Sequence, residues 1–217
     1  MPTSARFNPG RSVAPYLDQA RELLKLRRPD EALAELDVAA LINSDDAEVW
    51  TCRAEALSRL DRWQAAADDL DIALRLNPDD PVAWFLRGAA KLELGRWSDA
   101  ESDCTRAVAL DAGCADAWRT RGVARYQLGI LDAAIADFTQ ALSLSAGDAE
   151  TLYRRGLALR DAGDNHRAIA DFTAAIALCD RYTEAYVARG KAYANLGDMT
   201  SARSDWALAA QMLHQSH

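Results

Sequence analysis

The sequence contains little histidine, glycine or proline and has no long apolar run, and these shortages exclude several classes of protein. It has only 3 His among 217 residues, and none has a Cys or acidic partner at metal-ligand spacing, so a zinc site has no support. With 11 Gly and 6 Pro, a turn-rich β-sheet protein is disfavoured. No apolar run reaches the roughly 18 residues of a membrane helix, and the first residues lack the apolar core of a signal peptide. We therefore expect no metal, no cofactor and no membrane insertion.

Charge, cysteine pattern and missing motifs narrow the function further. The 33 acidic residues outnumber the 25 basic ones, and the formal charge of -8 argues against a nucleic-acid partner. The four cysteines have neither C-x-x-C spacing nor the density of a disulfide scaffold, which favours the reducing cytoplasm. The phosphate-loop, dinucleotide, nucleophile-elbow and zinc-protease motifs are all absent. We therefore expect a protein that is not an enzyme.

The sequence is instead rich in alanine and has a regular repeat. A period of 34 residues runs without a gap through almost the whole chain. It predicts a single array over 13–216, after a flexible lead-in at 1–12. The six repeats are 13–46, 47–80, 81–114, 115–148, 149–182 and 183–216.

Small residues recur at fixed positions of this repeat. Two positions are Ala in all six repeats, as at Ala32 and Ala39, and a third is Ala or Gly. Each repeat reads as an apolar stripe of helical period, a break and a second such stripe. Gly95 and its equivalents stand at the break, where a helix commonly ends in the left-handed conformation. Small residues at fixed positions would let two antiparallel helices approach closely.

The fourth repeat carries a family pattern except for its closing Pro, which survives in this chain only as Pro78 of the second repeat. Its residues are Trp118, Arg121-Gly122, Leu128-Gly129, Ala134, Phe138 and Ala141. In these positions the chain resembles the tetratricopeptide repeat (TPR) family. The resemblance implies an all-α fold, a right-handed superhelical solenoid of six antiparallel helix-turn-helix repeats. Arg27 and Asp61 replace the Gly of the break in the first two repeats, so these turns are expected to be strained or differently shaped.

An arginine position and an aspartate position also recur, sixteen residues apart. The arginines are Arg53, Arg87, Arg121, Arg155 and Arg189, and the aspartates are Asp69, Asp103, Asp137, Asp171 and Asp205. Because every Arg has its own Asp on the facing helix, the pattern favours a series of bidentate ion pairs. The alternative is a row of free arginines that binds an acidic or phosphorylated ligand.

The TPR resemblance implies a non-enzymatic scaffold that binds an extended peptide or partner segment in a concave groove lined by the first helices. The residues predicted to line it are Val82, Phe85, Leu86, Arg119, Tyr126, Tyr153, Arg154, Arg160 and Lys191. This set is basic and aromatic, so we expect a protein or peptide partner with an apolar anchor and acidic groups. In the alternative interpretation, its cations pair with neighbouring acids such as Asp116, Glu150 and Glu184.

The last repeat suggests a second hypothesis. Trp206, Ala210 and Leu213 are expected to be exposed on the final helix, where an apolar patch would favour a homodimer. The alternative function is therefore a homo-oligomeric assembly protein. Among the cysteines, Cys104 is predicted to be buried, whereas Cys52 and Cys114 are candidates for accessible thiols.

Overall fold

Residues 12–214 are described by a computed structural model, and within this range they form helices and turns but no strand. The helices of this range are α1 Ala14–Lys25, α2 Pro29–Ile42, α3 Ala47–Arg59, α4 Trp63–Leu76, α5 Pro81–Glu93, α6 Trp97–Leu110, α7 Ala115–Gln127, α8 Leu131–Leu144, α9 Ala149–Asp161, α10 Asn165–Leu178, α11 Thr183–Asn195 and α12 Met199–His214. The first eleven residues of the predicted lead-in lie outside the described residues. So do the last three residues of the chain.

The helices confirm the predicted all-α fold of helix pairs. Each odd-numbered helix from α3 to α11 begins at the first residue of a predicted repeat. At three of these starts an Asp side chain accepts hydrogen bonds from backbone N–H groups of the first turn, which would otherwise have no partner. The N-caps are Asp46, Asp80 and Asp148.

The chain divides into two compact units, Met1–Asp111 and Ala112–His217. In the first, α1 to α6 form three antiparallel pairs, and each helix packs on the helix that follows it. The second unit has the same arrangement of α7 to α12. In both units successive odd-numbered helices also contact one another. The single array over 13–216 stays a prediction.

Small residues set the distance between the two helices of a pair. All twelve alanines at the two invariant positions are buried. At the third small position, a Cβ on Gly156 would lie 2.6 Å from the Phe172 ring, and one on Gly190 would lie 2.5 Å from the Trp206 ring. The aromatic side chain of the second helix therefore occupies the space that a larger residue on the first helix would need.

The turn within each pair has one backbone shape. Gly95 and Gly163 have φ of 72° and 90°, and Arg27 and Asp61 take the same left-handed conformation at 57° and 56°. The residue after each of them donates its N–H to the carbonyl five residues earlier, at 2.9 Å in all four turns. The turns of the first two repeats therefore have the same shape, and they are strained because a Cβ disfavours this conformation.

The predicted ion pairs are confirmed. Arg87, Arg121, Arg155 and Arg189 each make two hydrogen bonds of 2.7–2.9 Å to the Asp sixteen residues later. An Arg on the facing helix bonds to both oxygens of each of these carboxylates. These positions therefore do not form the row of free arginines that was the alternative.

Within each unit these arginines also reach backwards, as Arg53, Arg87, Arg155 and Arg189 show, which the sequence did not lead us to expect. The partner lies sixteen residues earlier, on the second helix of the preceding repeat. Arg53 and Arg87 bond to carboxylates there, and Arg155 and Arg189 bond to threonine hydroxyls. These partners are Asp37, Asp71, Thr139 and Thr173, at 2.8, 2.7, 3.2 and 3.0 Å. The guanidinium therefore joins the two helices of its own repeat to the repeat before it.

The second repeat is the exception to the bidentate pattern. Arg53 makes a single bond of 3.1 Å to Asp69, because its Nε donates to Asp37. The Oδ2 atom of Asp69 is buried without a hydrogen-bond partner. Burial raises the pKa of this carboxyl to about 6, against the lowering effect of Arg53. Asp69 is therefore a buried carboxylate that is only partly compensated.

We predict that Asp69→Asn and its matched control Asp137→Asn differ in their effect on the free energy of unfolding. Near pH 7, Asp137→Asn should lower it by about 3 kcal/mol, because a buried bidentate pair is broken. Asp69→Asn should leave it unchanged or higher, because a poorly compensated charge is removed. Urea unfolding measures both values, and equal losses would contradict the prediction.

The pH dependence provides a second measurement on the same variants. A folded pKa of about 6, above the ordinary 3.8, means that the folded state binds more protons than the unfolded state between these values. The contribution of Asp69 to stability therefore grows as the pH falls through about 6 and is complete below the ordinary value of 3.8. Asp69→Asn should lose this contribution, whereas Asp137→Asn should retain it.

Candidate peptide-binding grooves

Each unit contains a groove between its odd-numbered helices. We call them the N-terminal groove, in the first unit, and the C-terminal groove, in the second. The N-terminal groove is about 470 Å³ and is lined by Ala47, Glu48, Thr51, Cys52, Glu55, Asn77, Asp80, Val82 and Leu86. The C-terminal groove is about 460 Å³ and is lined by Tyr126, Tyr153, Leu157, Arg160, Thr183, Glu184, Val187, Ala188, Lys191 and Leu213. Each volume is large enough to hold a few side chains of an extended peptide segment.

Aromatic packing holds one wall of the C-terminal groove. The Tyr153 ring lies 5.0 Å from that of Tyr182 and 5.9 Å from that of Phe172, centroid to centroid, in tilted geometry. Phe172 is fully buried, so its contact with Tyr153 holds the Tyr153 ring in place from the core side. Burial raises the pKa of Tyr153, and that of Tyr182 to about 12, so both phenols are neutral near pH 7. Tyr153 therefore offers an apolar face to a ligand.

A small hydrogen-bond network lies beside this wall. The Tyr126 hydroxyl donates to Asp161 Oδ2 at 2.6 Å, while Arg160 donates to Oδ1 from Nε at 2.9 Å and from a terminal nitrogen at 2.7 Å. Burial, followed by the bond to Asp161, raises the pKa of Tyr126 to about 12. Asp161 thus satisfies both side chains and partly neutralises the charge of Arg160.

Lys191 is the lining cation that this network leaves free. Among the described residues its ammonium forms no ion pair and no hydrogen bond, and the side chain is exposed. Glu184, on the same helix, is the lining acid and is also exposed. The groove therefore presents one uncommitted positive charge next to apolar surface.

Two other predicted cations lie outside this groove and are already paired. Arg119 bonds to Asp116 at 2.8 Å and lies 3.9 Å from both Asp148 and Glu150. Arg154 donates twice to Glu150, at 2.9 and 2.7 Å. For these arginines the structure shows the pairing with neighbouring acids that the sequence left as the alternative.

The predicted apolar residues of the third repeat lie in the first unit. Val82 and Leu86 line the N-terminal groove, and Val82 is 53% exposed, which is unusual for an aliphatic side chain. Phe85 is half-buried and does not line it.

Cys52 is only 9% exposed, so the expectation of an accessible thiol there was wrong: it packs in the core around α1 to α3. The expected burial of Cys104 is confirmed.

Two of the three residues expected to be exposed on the final helix are exposed. Trp206 is half-buried, with its ring over Gly190 and its indole N–H directed at the Val187 carbonyl at 3.4 Å. Ala210 is exposed and Leu213 is 58% exposed. Leu213 also lines the C-terminal groove, so part of the proposed self-association patch belongs to that groove.

Sequence reasoning missed several lining residues, among them Leu157 and Val187 in the C-terminal groove. The signal that could have found them is the repeat register. Glu55, Leu157 and Lys191 occupy one repeat position, and Thr51, Tyr153 and Val187 occupy another.

Comparison with known proteins identifies the family. The tetratricopeptide repeat model matches residues 17–81, 51–113, 85–149 and 153–216, so the chain belongs to the TPR family. A comparison with curated protein sequences found no significant match.

No helix of residues 12–214 is long and apolar enough to cross a membrane, and no group of three or more His, Cys, Asp or Glu within them is placed to hold a metal.

Solved structures share the fold at low sequence identity. MamA is 21% identical, with a TM-score of 0.70 over 75% of this chain and 95% of its own. YrrB, described as a TPR protein with an unusual peptide-binding site, is 22% identical, with a TM-score of 0.67 over 80% of this chain and 90% of its own. TTC0263, a TPR protein of Thermus thermophilus, is 21% identical, with a TM-score of 0.64 over 83% of this chain and 98% of its own. These identities support the fold alone.

Proposed function

We propose that the protein is a non-enzymatic interaction scaffold that binds an extended peptide segment of a partner protein in the C-terminal groove. The observation that carries this proposal is the unpaired Lys191 beside the apolar wall of Tyr153, in a groove of about 460 Å³. Membership of the TPR family supports the scaffold role, and YrrB is a family member described with a peptide-binding site.

The groove chemistry indicates which segment would bind. An apolar side chain of the ligand packs on Tyr153, Leu157 and Val187, where it removes apolar surface from water. A ligand carboxylate, from Asp, Glu or the chain terminus, pairs with Lys191. Arg160 is a weaker partner because Asp161 already accepts two of its hydrogen bonds. The ligand is thus acidic with an apolar anchor.

We predict that Lys191→Glu weakens binding of a peptide with Glu residues around an apolar centre by at least about tenfold, because attraction to a carboxylate becomes repulsion. Tyr153→Ala should weaken it similarly through lost apolar contact. Fluorescence anisotropy with a labelled pool of such peptides, blocked at both ends, measures both effects.

The control is Lys25→Glu, which makes the same charge change at an exposed residue outside the C-terminal groove. It should bind the pool as the wild type does. Circular dichroism should show unchanged helix content in all three variants. Wild-type affinity in Lys191→Glu, or an equal loss in Lys25→Glu, would refute the proposal.

A homo-oligomeric assembly protein is the second candidate, favoured by the 58% exposure of Leu213 and the exposure of Ala210 on α12. It predicts that the mass in sedimentation equilibrium rises with concentration. Ala210→Glu should then give a monomer and leave peptide binding intact, because Ala210 does not line the C-terminal groove. A wild-type monomer at all concentrations would exclude this candidate.

We also propose a reducing compartment, such as the cytoplasm, as the place of action. Cys52, Cys104, Cys114 and Cys179 are all free thiols in the structure, which supports this location.

A further inference from the structure

The two grooves use the same positions of the repeat. Ala47, Glu48, Thr51, Cys52 and Glu55 of α3 line the N-terminal groove, and Thr183, Glu184, Val187, Ala188 and Lys191 of α11 line the C-terminal groove. These sets are four 34-residue repeats apart, position by position. One helix face therefore serves as a groove wall in both units, and the chemistry of each groove depends on what stands there.

The charge at one of these shared positions is reversed. Glu55 stands in the N-terminal groove where Lys191 stands in the C-terminal groove. Glu48 and Asp80 add two more carboxylates, and none of the described residues lining the N-terminal groove is Lys or Arg. Its lining is therefore acidic, whereas the lining of the C-terminal groove has two cations and one acid.

The carboxylates of the N-terminal groove keep acceptor capacity for a ligand. Glu55 bonds through Oε1 to Arg59 at 2.7 Å, and Glu48 bonds through Oε1 to Arg21. Asp80 uses Oδ1 to cap α5, while its Oδ2 has only a 3.5 Å contact from the Thr51 hydroxyl. One oxygen of each carboxylate is thus uncommitted or weakly bonded.

Apolar side chains lie next to these oxygens. Val82 is 53% exposed and stands at the start of α5, and Leu86 follows one turn later. A segment that fits here carries an aliphatic or aromatic side chain for Val82 and Leu86. It also carries a neighbouring Lys or Arg for Glu55 and Asp80.

We propose that the N-terminal groove is a second binding site, selective for a basic peptide segment with an apolar residue beside its Lys or Arg. Residues 55 and 191, at one shared repeat position, set the opposite charge preferences of the two grooves. The scaffold thus binds two classes of segment, one in each unit. This goes beyond the proposed function, because it concerns a different groove and a ligand of the opposite charge.

The test uses two labelled pools of blocked peptides, identical except that the apolar centre is flanked by Lys in one and by Glu in the other. Fluorescence anisotropy measures both pools on the full chain. Glu55→Lys should weaken binding of the Lys pool by at least about tenfold and should not weaken binding of the Glu pool. Glu55→Gln should have a smaller effect of the same sign, and added salt should weaken the Lys pool in the wild type.

Lys191→Glu is the reciprocal control and should weaken only the Glu pool. Loss of binding of both pools in Glu55→Lys, with lower helix content by circular dichroism, would show misfolding of that variant, and Glu55→Gln then decides the outcome. No binding of the Lys pool to the wild type, or binding of that pool that Glu55→Gln leaves unchanged, overturns the proposal. Binding of the Glu pool is read separately, so failure here is distinguishable from failure of the proposed function.

Discussion

The stacking of the repeats within each unit depends on the hydrogen bonds of the recurring arginine, which stands on every first helix except α1. Arg87 shows its full geometry: two hydrogen bonds to Asp103 hold the second helix of its own repeat, and one to Asp71 holds the repeat before. Its guanidinium also lies 4.6 Å from the centroid of the Trp84 ring. A planar group with five donors can satisfy these partners together, which a lysine could not. This explains why Arg occupies the position in five of the six repeats.

Because this interaction uses positions away from the groove, the groove positions are free to vary. The invariant alanines and the Arg–Asp pairs set the helix geometry in both units, whatever stands at residues 55 or 191. Stability in repeat proteins comes from such intrinsic and nearest-neighbour terms. Reversing a charge on an exposed groove wall therefore costs little stability. A repeat fold can thus present grooves of opposite polarity without altering its packing.

The fold was predictable from the sequence because its determinants recur every 34 residues. One position read six times, such as the alanine at residue 32 and its equivalents, distinguishes a packing requirement from chance. The Arg–Asp pairs were predictable for the same reason. The backward contact from Arg155 to Thr139 was missed because the position of Thr139 is Asp in the first two repeats and Thr in the next three, so no constant residue type marked it.

The C-terminal groove was less predictable from the sequence than the fold, because its chemistry depends on contacts that do not recur from repeat to repeat. The hydrogen bond from Tyr126 to Asp161 joins residues 35 positions apart. The other repeats do not carry the same pair of residue types at these two positions, so no recurring pattern marked it. The pairing of Arg154 with Glu150 has ordinary helical spacing, yet only the structure shows that it forms in preference to an open cation. Lys191, in contrast, could be assigned from sequence as an inward-facing cation, and the structure adds that no carboxylate among the described residues engages it. The constant positions therefore determine the fold, and the pairing state of each variable charge determines what the grooves can bind.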